Sequence, residues 1–349
     1  METDVSGVQA AAVKQSRIHD FINKSLVITL NAPMSVLSTL EGFKHGVTVI
    51  GNHYIPPETW QLLHEQGLDA FKEQVFDVLN LSAESAAFVF TGADMDHLSV
   101  VKEAFKDIEV TVFATAGVEG NAMRTSRDTG GFYEPGTINL IILTSHRLTP
   151  RAMTRAMITA TEGKTAALLD LDIRSSYARG RYRATGTGTD NILVAEGTGP
   201  AVLDNAGGHT KLGELIGKAV HRAVTEAIRK QNSITPDLNI FKRLEKRGLS
   251  LHELILDDPV CQCENLENVL IETVETLLMD PLYQGFMTAA LAVSDEYDKG
   301  LIKNLDAFEM LCRDTAAMIA GKPVTTWQSF VSNPDVPPVM TMALDTLFN

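Results

Sequence analysis

The stretch TINLIILTSHRLTPRAMTRAMITATEGKTAALL, residues 137–169, decides the fold class of this chain. It opens with an apolar run, Thr137 to Thr144, that has the length and residue types of a buried strand. Thr149 and Pro150 then supply the N-cap and the first-turn proline of a helix, which we expect to extend to about Leu169. A strand that leads directly into a helix is the unit of α/β domains, so the stretch predicts an α/β fold.

The alternation of strands and helices continues on both sides of this stretch. Further strands are expected over residues 26–30, 47–50, 86–90, 110–114 and 191–195. Helices are expected after Pro57, through Val100, Val101 and Phe105, and after Gly208, where apolar residues keep helical spacing as far as Ile228. We therefore predict a layered α/β domain with a mixed sheet over residues 26–231.

Both ends of the chain differ from this pattern. Residues 1–25 are polar and rich in Ala, Gln and Ser, and we expect a loose N-terminal lead-in or a first helix there. Over residues 232–349 helical spacing dominates, for example from Leu266 to Leu278 and from Leu305 to Ile319. The sequence thus predicts a smaller, all-helical C-terminal region.

Composition restricts the class of protein. The chain is 44% hydrophobic and carries a formal net charge of -14, spread along its 349 residues. Nucleic acid and anionic membranes need clustered Lys and Arg, so we expect neither as a partner. No apolar run reaches the roughly 18 residues of a membrane span, and no signal-peptide layout is present. We expect a cytoplasmic protein, and the amphipathic helices of the C-terminal region allow a homodimer.

Cysteine and histidine residues are the first candidates for a metal site. Cys261, Cys263 and Cys312, with His252, are the available set. Closed zinc sites and iron–sulfur clusters take about four ligands at familiar spacings, and this spacing matches none of them. We interpret the cysteines as core or surface thiols.

The stretch ATGTGTD, residues 184–190, combines glycines with threonines. A dinucleotide fingerprint needs a helix after its glycines, and a P-loop needs Lys followed by Ser or Thr. This stretch runs into a strand instead and has Asp190, so both nucleotide interpretations are rejected. The glycines allow a ligand to come close and the threonines offer hydroxyls, although a tight loop without a role is the alternative.

The start of the long helix after Gly208 is a second candidate site. Backbone N–H groups and the positive end of the helix dipole attract an oxyanion there, and His209 offers a general base or a metal ligand. Thr210 and Lys211 complete the segment. The alternative is a surface histidine near a helix cap.

Two more segments carry polar residues that are candidates for a catalytic role. Lys164 falls inside the apolar stripe of the helix that begins at Pro150, either buried with a partner or snorkelling to the edge, while Glu162 points the other way. Thr115 and Asn121 follow the strand over 110–114, where a nucleophile and an oxyanion donor can line a crevice. An ordinary strand exit is the alternative.

Taken together, these segments occur in the order of a known family. They are ATAG (114–117), NA (121–122), PGTIN (135–139), ITATEGKTAA (158–167), ATGTGTD (184–190) and GHTKLGELIG (208–217). The series resembles the adenosylcobinamide amidohydrolase family over about residues 26–230. That resemblance implies hydrolysis of the amide between the aminopropanol arm and the corrin ring of adenosylcobinamide. The product, adenosylcobyric acid, re-enters cobalamin synthesis.

The resemblance supplies no mechanism, so the roles of the residues are a hypothesis from their chemistry. His209 and Asp190 would transfer protons, with Asp190 orienting or partnering His209. Asn121 and the N–H groups at the helix start from Gly208 to Lys211 would stabilise the oxyanion. Lys164 and Glu162 would shape or polarise the site, and Thr115 is a nucleophile that rivals water. The residues expected to contact substrate are Gly117, Gly186, Thr187, Gly188, Thr189, Gly208, Thr210 and Lys211.

The corrinoid is then the substrate, no cofactor is expected with certainty, and a divalent metal is an open alternative. Two other functions also stay open. One is a corrinoid-binding protein that cleaves nothing, and the other is an amidohydrolase of a different amide.

Overall fold

The computed structural model describes residues 5–129, 136–178, 180–251, 264–331 and 333–349, with the side chains of 264–270 left out. Pro135, His252, Cys261 and Cys263 lie outside the described residues. The chain forms two compact units, Met1–Ala178 with Arg183–Pro236, and Arg179–Tyr182 with Asp237–Asn349. The predicted α/β class, the mixed sheet and the helical C-terminal region are confirmed.

An eight-stranded mixed sheet forms the centre of the first unit. Its strands are β1 (Val8–Ile18), β2 (Phe21–Ser38), β3 (Gly42–Tyr54), β4 (Ala86–Thr91), β5 (Ser99–Phe105), β6 (Ile108–Ala116), β8 (Ile138–Thr144) and β11 (Asn191–Ala195). The order is β4-β3-β2-β11-β8-β6-β5, with β1 beside β2. The pairs β3–β4 and β8–β11 are parallel, and the others are antiparallel. Two short pairs complete the set, β7 (Ala122–Met123) with β10 (Gly186–Thr187) and β9 (Arg147–Leu148) with β12 (Val202–Leu203).

Strand β2, the longest strand in the described part of the chain, is irregular near its middle. Its pairing with β3 shifts register between Thr29 and Met34, and its last residues also pair with β11. The sheet therefore curls until β4 meets β8, which is not its neighbour in the strand order. The side-chain amide of Asn139 on β8 donates to the carbonyl of Phe90 on β4 at 2.7 Å. The concave face encloses one apolar core, whose largest fully buried side chains are Leu26, Ile28, Ile50, Phe113 and Ile141.

Two long helices, α3 (Pro150–Asp170) and α4 (Lys211–Asn232), pack against each other and against the sheet. The predicted cap of α3 is confirmed, since the Thr149 hydroxyl accepts from the backbone N–H of Ala152 at 3.2 Å. The two helices come into close contact at Gly163, where an added Cβ would lie 2.8 Å from the carbonyl oxygen of Gly217. A second pair, α1 (Trp60–Gln66) and α2 (Leu68–Leu79), covers another part of the sheet through Phe71 and Phe76.

Two expectations about local structure are wrong. Residues 8–25 are not a lead-in or a helix, because β1 and β2 form a hairpin there. The turn is made by His19 and Asp20, both with positive φ, as in the tight turns that join twisted strands. Strand β1 is an edge strand in which Ala11 and Ile18 are the buried residues, and this exposure explains its polar sequence.

The helix expected through Val100, Val101 and Phe105 is the strand β5. A turn at Lys106, with φ of 56°, folds it back on β6 in continuous register. The pairing with β6 satisfies the backbone hydrogen bonds of this segment. The spacing of apolar residues within the segment gives no information about such a partner strand.

The second unit is helical. Its helices are α5 (Ile240–Glu245), α6 (Glu264–Met279), α7 (Pro281–Asp298), α8 (Asp306–Ala320) and α9 (Pro338–Phe348). They enclose an apolar core that includes Leu278, Met287 and Leu344. Cys312 is fully buried in this core, and burial raises the pKa of its thiol, so it is a core thiol as interpreted. Among the described residues, no helix is both long and apolar enough to cross a membrane.

His53 on β3 is a buried histidine that the sequence analysis did not single out. Its Nδ1 lies 2.8 Å from the Ser25 hydroxyl, and its ring meets the rings of Phe71 and Phe90 edge-on. Burial without a charged partner lowers the pKa of His53 to about 3. The imidazole is therefore neutral at physiological pH, and it belongs to the core.

Replacing Gly163 with alanine is expected to lower the free energy of unfolding of the first unit by about 1–3 kcal/mol, because the new methyl group meets backbone. Gly217→Ala at the same crossing is the matched control. There the nearest atom is 3.9 Å away, so alanine is accommodated and the change is neutral or stabilising. Urea unfolding followed by Trp60 fluorescence in a Trp327→Phe background isolates the first unit. Equal effects of the two substitutions would contradict the close crossing.

His53 makes the stability of the first unit depend on acidity. Between about pH 6.5 and about pH 3, the unfolded histidine binds a proton that the folded one does not. As the pH is lowered through this range, the free energy of unfolding therefore decreases by up to roughly 1.4 kcal/mol per pH unit. His53→Gln removes this contribution, so the stability difference between wild type and variant shrinks as pH is lowered. Parallel pH profiles for the two proteins would show that His53 takes no part.

Candidate active site

One end of the enclosed core changes from apolar to polar. Side chains alternate between the faces of a strand, so the position two residues from an inward apolar residue also faces inward. At this end the inward positions are polar and buried, and they are Asn52 after Ile50, Thr91 after Val89, Thr115 after Phe113, and Asn139 before Ile141. We call these four residues the polar layer. This alternation is visible in the sequence, but Asn52, Thr91 and Asn139 were not singled out from it.

The polar layer is internally hydrogen-bonded. The amide of Asn139 donates to Asn52 at 2.9 Å, and the amide of Asn52 donates to the Thr115 hydroxyl at 2.9 Å. That hydroxyl in turn lies 3.4 Å from the hydroxyl of Thr91. Thr115 is only 1% exposed, and its oxygen already accepts a hydrogen bond. Both features count against the expected role of Thr115 as a nucleophile.

Lys164 and Asp190 form an ion pair, and Asp190 accepts the backbone N–H of Ile138, the chain neighbour of Asn139 in this layer. Lys164 lies on the buried stripe of α3, and its ammonium group contacts the carboxylate of Asp190 just before β11. The side chains are 8% and 14% exposed, respectively. Of the two alternatives for Lys164, the structure therefore shows the buried lysine with a partner. Charges removed from water need such pairing, and the low dielectric strengthens their attraction.

The carboxylate of Asp190 binds three further donors. Its Oδ1 accepts the Thr187 hydroxyl at 2.5 Å and the backbone N–H of Ile138 at 3.0 Å. Its Oδ2 accepts the backbone N–H of Thr187 at 3.1 Å. A Cβ on Gly186 would lie 2.5 Å from Asp190 Oδ2 and 2.7 Å from Lys164 Nζ. Glycine at this position therefore leaves the space that the ion pair occupies.

Asn121 and the neighbouring loops extend the site. The amide of Asn121 donates to the carbonyl of Gly136 at 2.7 Å and accepts from the Tyr177 hydroxyl at 2.6 Å. Thr189 also donates to that carbonyl, at 3.0 Å, and the backbone N–H of Gly117 donates to Thr137 at 3.0 Å. Tyr177 lies in none of the sequence motifs, so no local signal pointed to it. The loops that carry Asn121, Gly136 and Gly188 thus form one hydrogen-bonded group.

The residues at the start of α4 take structural positions instead. The Thr210 hydroxyl accepts from the backbone N–H of Gly213 at 3.0 Å, which is an N-cap, and Lys211 pairs with Glu214 at 2.5 Å. Gly208 and His209 are exposed. His209 makes no hydrogen bond with Asp190, whose partners are the four donors above.

Glu162 does not join the site around Lys164. It is exposed on the opposite side of α3, as its spacing indicated. Within the ranges that the structure describes, no three His, Cys, Asp or Glu side chains are grouped so that they could hold a metal ion.

Comparison with known proteins identifies the family. The model of the adenosylcobinamide amidohydrolase family (CbiZ) matches residues 9–236. This chain belongs to that family. The match begins within β1 and ends at Pro236, the last residue of the first unit, so the amidohydrolase domain includes the N-terminal hairpin. The resemblance inferred from the six motifs is confirmed.

Individual relatives agree with this assignment. An uncharacterized protein of Methanocaldococcus jannaschii is 42% identical over 229 residues, covering 60% of this chain and 88% of that protein. An adenosylcobinamide amidohydrolase of Methanosarcina mazei is 32% identical over 145 residues, covering 39% of this chain and 62% of that protein. Among solved structures, the PH0078 protein of Pyrococcus horikoshii matches with a TM-score of 0.34 and 11% identity, over 65% of this chain and 85% of that one.

The ion pair should appear as an energetic coupling in this amidohydrolase domain. Lys164→Met leaves the Asp190 carboxylate buried without its cation, and we expect a loss of about 3 kcal/mol or more in the free energy of unfolding. The double variant Lys164→Met, Asp190→Asn should be less unstable than the sum of the single variants by about 1–3 kcal/mol. Trp60 fluorescence during urea denaturation measures the free energy of unfolding of each of these variants. Additive effects would mean that the two side chains do not interact.

Proposed function

We propose that this protein hydrolyses the amide between the corrin ring and the aminopropanol arm of adenosylcobinamide. The products are adenosylcobyric acid and free aminopropanol, and the role is the salvage of corrinoids for cobalamin synthesis. Membership of the amidohydrolase family supports this reaction class, as does the name of the Methanosarcina mazei relative. The observation that carries the proposal is the buried Lys164–Asp190 pair, whose carboxylate accepts the N–H of Ile138 next to Asn139 of the polar layer.

Amide hydrolysis needs groups that the site contains. An amide is a poor electrophile and its nitrogen a poor leaving group, so a base, a positive charge near the oxyanion and a proton for the nitrogen are required. Asp190 is a carboxylate with a hydroxyl on one oxygen and the ammonium group of Lys164 on the other. In this proposal Asp190 transfers the protons, and Lys164 holds the carboxylate and offsets negative charge during the attack.

The assignment replaces the partner expected for Asp190. His209 was the expected partner of this carboxylate, whereas its cationic partner in the structure is Lys164. A general base has to lie within hydrogen-bond reach of the proton that it takes. His209 is exposed and makes no hydrogen bond to Asp190, so the proposed reaction does not use it.

Substrate contacts are proposed for the loops that border the ion pair. Gly188 and Thr189 keep exposed surface next to Asp190, and Gly117 lies against Gly136 in the loop beside them, with 4.0 Å between the Cα of Gly136 and an added Cβ on Gly117. Small residues there let the flat face of a corrin ring come close to the backbone. Thr210 and Lys211 cap and begin α4, so a contact with substrate is not proposed for their side chains.

The test is turnover of adenosylcobinamide by the purified full chain, with adenosylcobyric acid and aminopropanol measured by mass spectrometry. Lys164→Met and Asp190→Asn should each lower kcat/KM by about 100-fold or more. His209→Ala should change it by less than about 3-fold. Lys218→Met is the matched lysine control, since this lysine pairs with Glu214 on the exposed side of α4 and should be neutral.

The alternatives give different results in the same experiment. Corrinoid that binds to wild type without any product would indicate the non-catalytic corrinoid-binding protein. Neither binding nor product would indicate a different amide substrate. Turnover that survives Lys164→Met and disappears in His209→Ala would contradict the assignment of the ion pair.

A further inference from the structure

The hydroxyl of Thr187 is held against the carboxylate of Asp190. Thr187 lies on β10, which pairs with β7 through Thr187 opposite Ala122. Its backbone N–H and its side-chain hydroxyl both donate to Asp190, at 3.1 Å and 2.5 Å. Two bonds to one carboxylate fix the side-chain rotamer. Because the hydroxyl proton points at Asp190, the lone pairs of Oγ1 point away from it.

Neighbouring threonines lack such an acceptor. Thr189 donates to the backbone carbonyl of Gly136, and the Thr185 hydroxyl lies 3.3 Å from that of Thr125. The Thr115 hydroxyl is directed at Thr91. A carboxylate can act as a general base towards a hydroxyl that it holds, whereas backbone carbonyls and neutral hydroxyls are far weaker bases. Of these four hydroxyls, only that of Thr187 is placed for deprotonation.

Asp190 itself favours Thr187 over water as the nucleophile. A carboxylate offers about four lone-pair sites. Oδ1 accepts from Thr187 Oγ1 and the N–H of Ile138, and Oδ2 accepts from Lys164 Nζ and the N–H of Thr187. All these sites are filled by protein donors, so a water would have to displace one of them before Asp190 could activate it. The hydroxyl of Thr187 is already in place.

Thr187, Asp190 and Lys164 therefore have the order of a nucleophile, a base and a group that orients the base. We propose that Thr187 is the nucleophile and that hydrolysis passes through an ester between Thr187 Oγ1 and the corrinoid carboxyl carbon. This inference rests on the proposed function, and it changes the expected role of Thr187 from substrate contact to catalysis.

The steps balance with water as the only co-reactant. Oγ1 attacks the amide carbon while its proton moves to Asp190, and the C–N bond breaks as that proton passes to the nitrogen, releasing aminopropanol. Water then attacks the ester carbon and gives a proton to Asp190. The C–Oγ1 bond breaks, Thr187 recovers the proton, and adenosylcobyric acid leaves. Lys164 keeps its charge throughout.

The experiment traps the ester during turnover of adenosylcobinamide by the full chain. Acid quenching in the first turnover should yield protein heavier by adenosylcobyric acid minus one water. Trypsin places this mass on the peptide from Ala184 to Lys211, and fragmentation locates it at Thr187. Hydroxylamine added during turnover should also capture the ester as the corrinoid hydroxamate, which reports the intermediate even when the ester is short-lived.

Three variants separate catalysis from structure. Thr187→Val keeps the shape and should lose the ester, the hydroxamate and about 1000-fold or more in kcat/KM. Thr187→Ser keeps a hydroxyl and should restore both trapped species. Thr165→Val removes a hydroxyl that donates 3.0 Å to the carbonyl of Thr185, and its kcat/KM should stay within about 3-fold of wild type.

The results distinguish this inference from the function on which it rests. Wild-type product without ester or hydroxamate, together with an active Thr187→Val variant, would overturn Thr187 as nucleophile and leave the amidohydrolase proposal intact. Wild type that forms no product would overturn the proposed substrate instead. Loss of folding in Thr187→Val would appear in Trp60 fluorescence, and the trapped species in Thr187→Ser then decide the question.

Discussion

The ion pair between Lys164 and Asp190 is the constraint on which the rest of the site depends. It joins the buried stripe of α3 to the residue before β11, and the same carboxylate holds the first backbone N–H of β8. Two buried charges are tolerated because four donors surround the carboxylate. Removing any one of these donors would leave a polar atom buried without its partner, which costs more than the bond itself contributes.

The surrounding fold gives this pair its place. Gly163 lets α4 come close to α3 one residue before Lys164, and Gly186 leaves the volume in which ammonium and carboxylate meet. The curl of β2 brings β4 against β8, so that Asn52, Thr115 and Asn139 hydrogen-bond to each other above an apolar core. A flat sheet with the same strand order would hold these side chains apart and leave their polar atoms unsatisfied.

The family assignment and the division of the chain agree with each other. The match to the adenosylcobinamide amidohydrolase family covers residues 9–236, and the first compact unit ends at Pro236. The helical unit that follows has its own apolar core around residues such as Met287 and Leu344. The side chains of the candidate site, among them Lys164, Thr187 and Asp190, belong to the matched unit.

The sequence by itself determined the elements whose signals are local. Apolar runs marked β8 and β11, the Thr149–Pro150 pair marked the start of α3, and the ordered motifs identified the family. It failed at β1 and β5, because an exposed edge strand is polar and a hairpin partner lies outside any local window. Tertiary structure alone paired Asp190 with Lys164, which lies 26 residues away in the sequence, and not with His209. The physical reason is that a buried carboxylate takes the donors that the packed helix and loop bring to it, and packing is a long-range property.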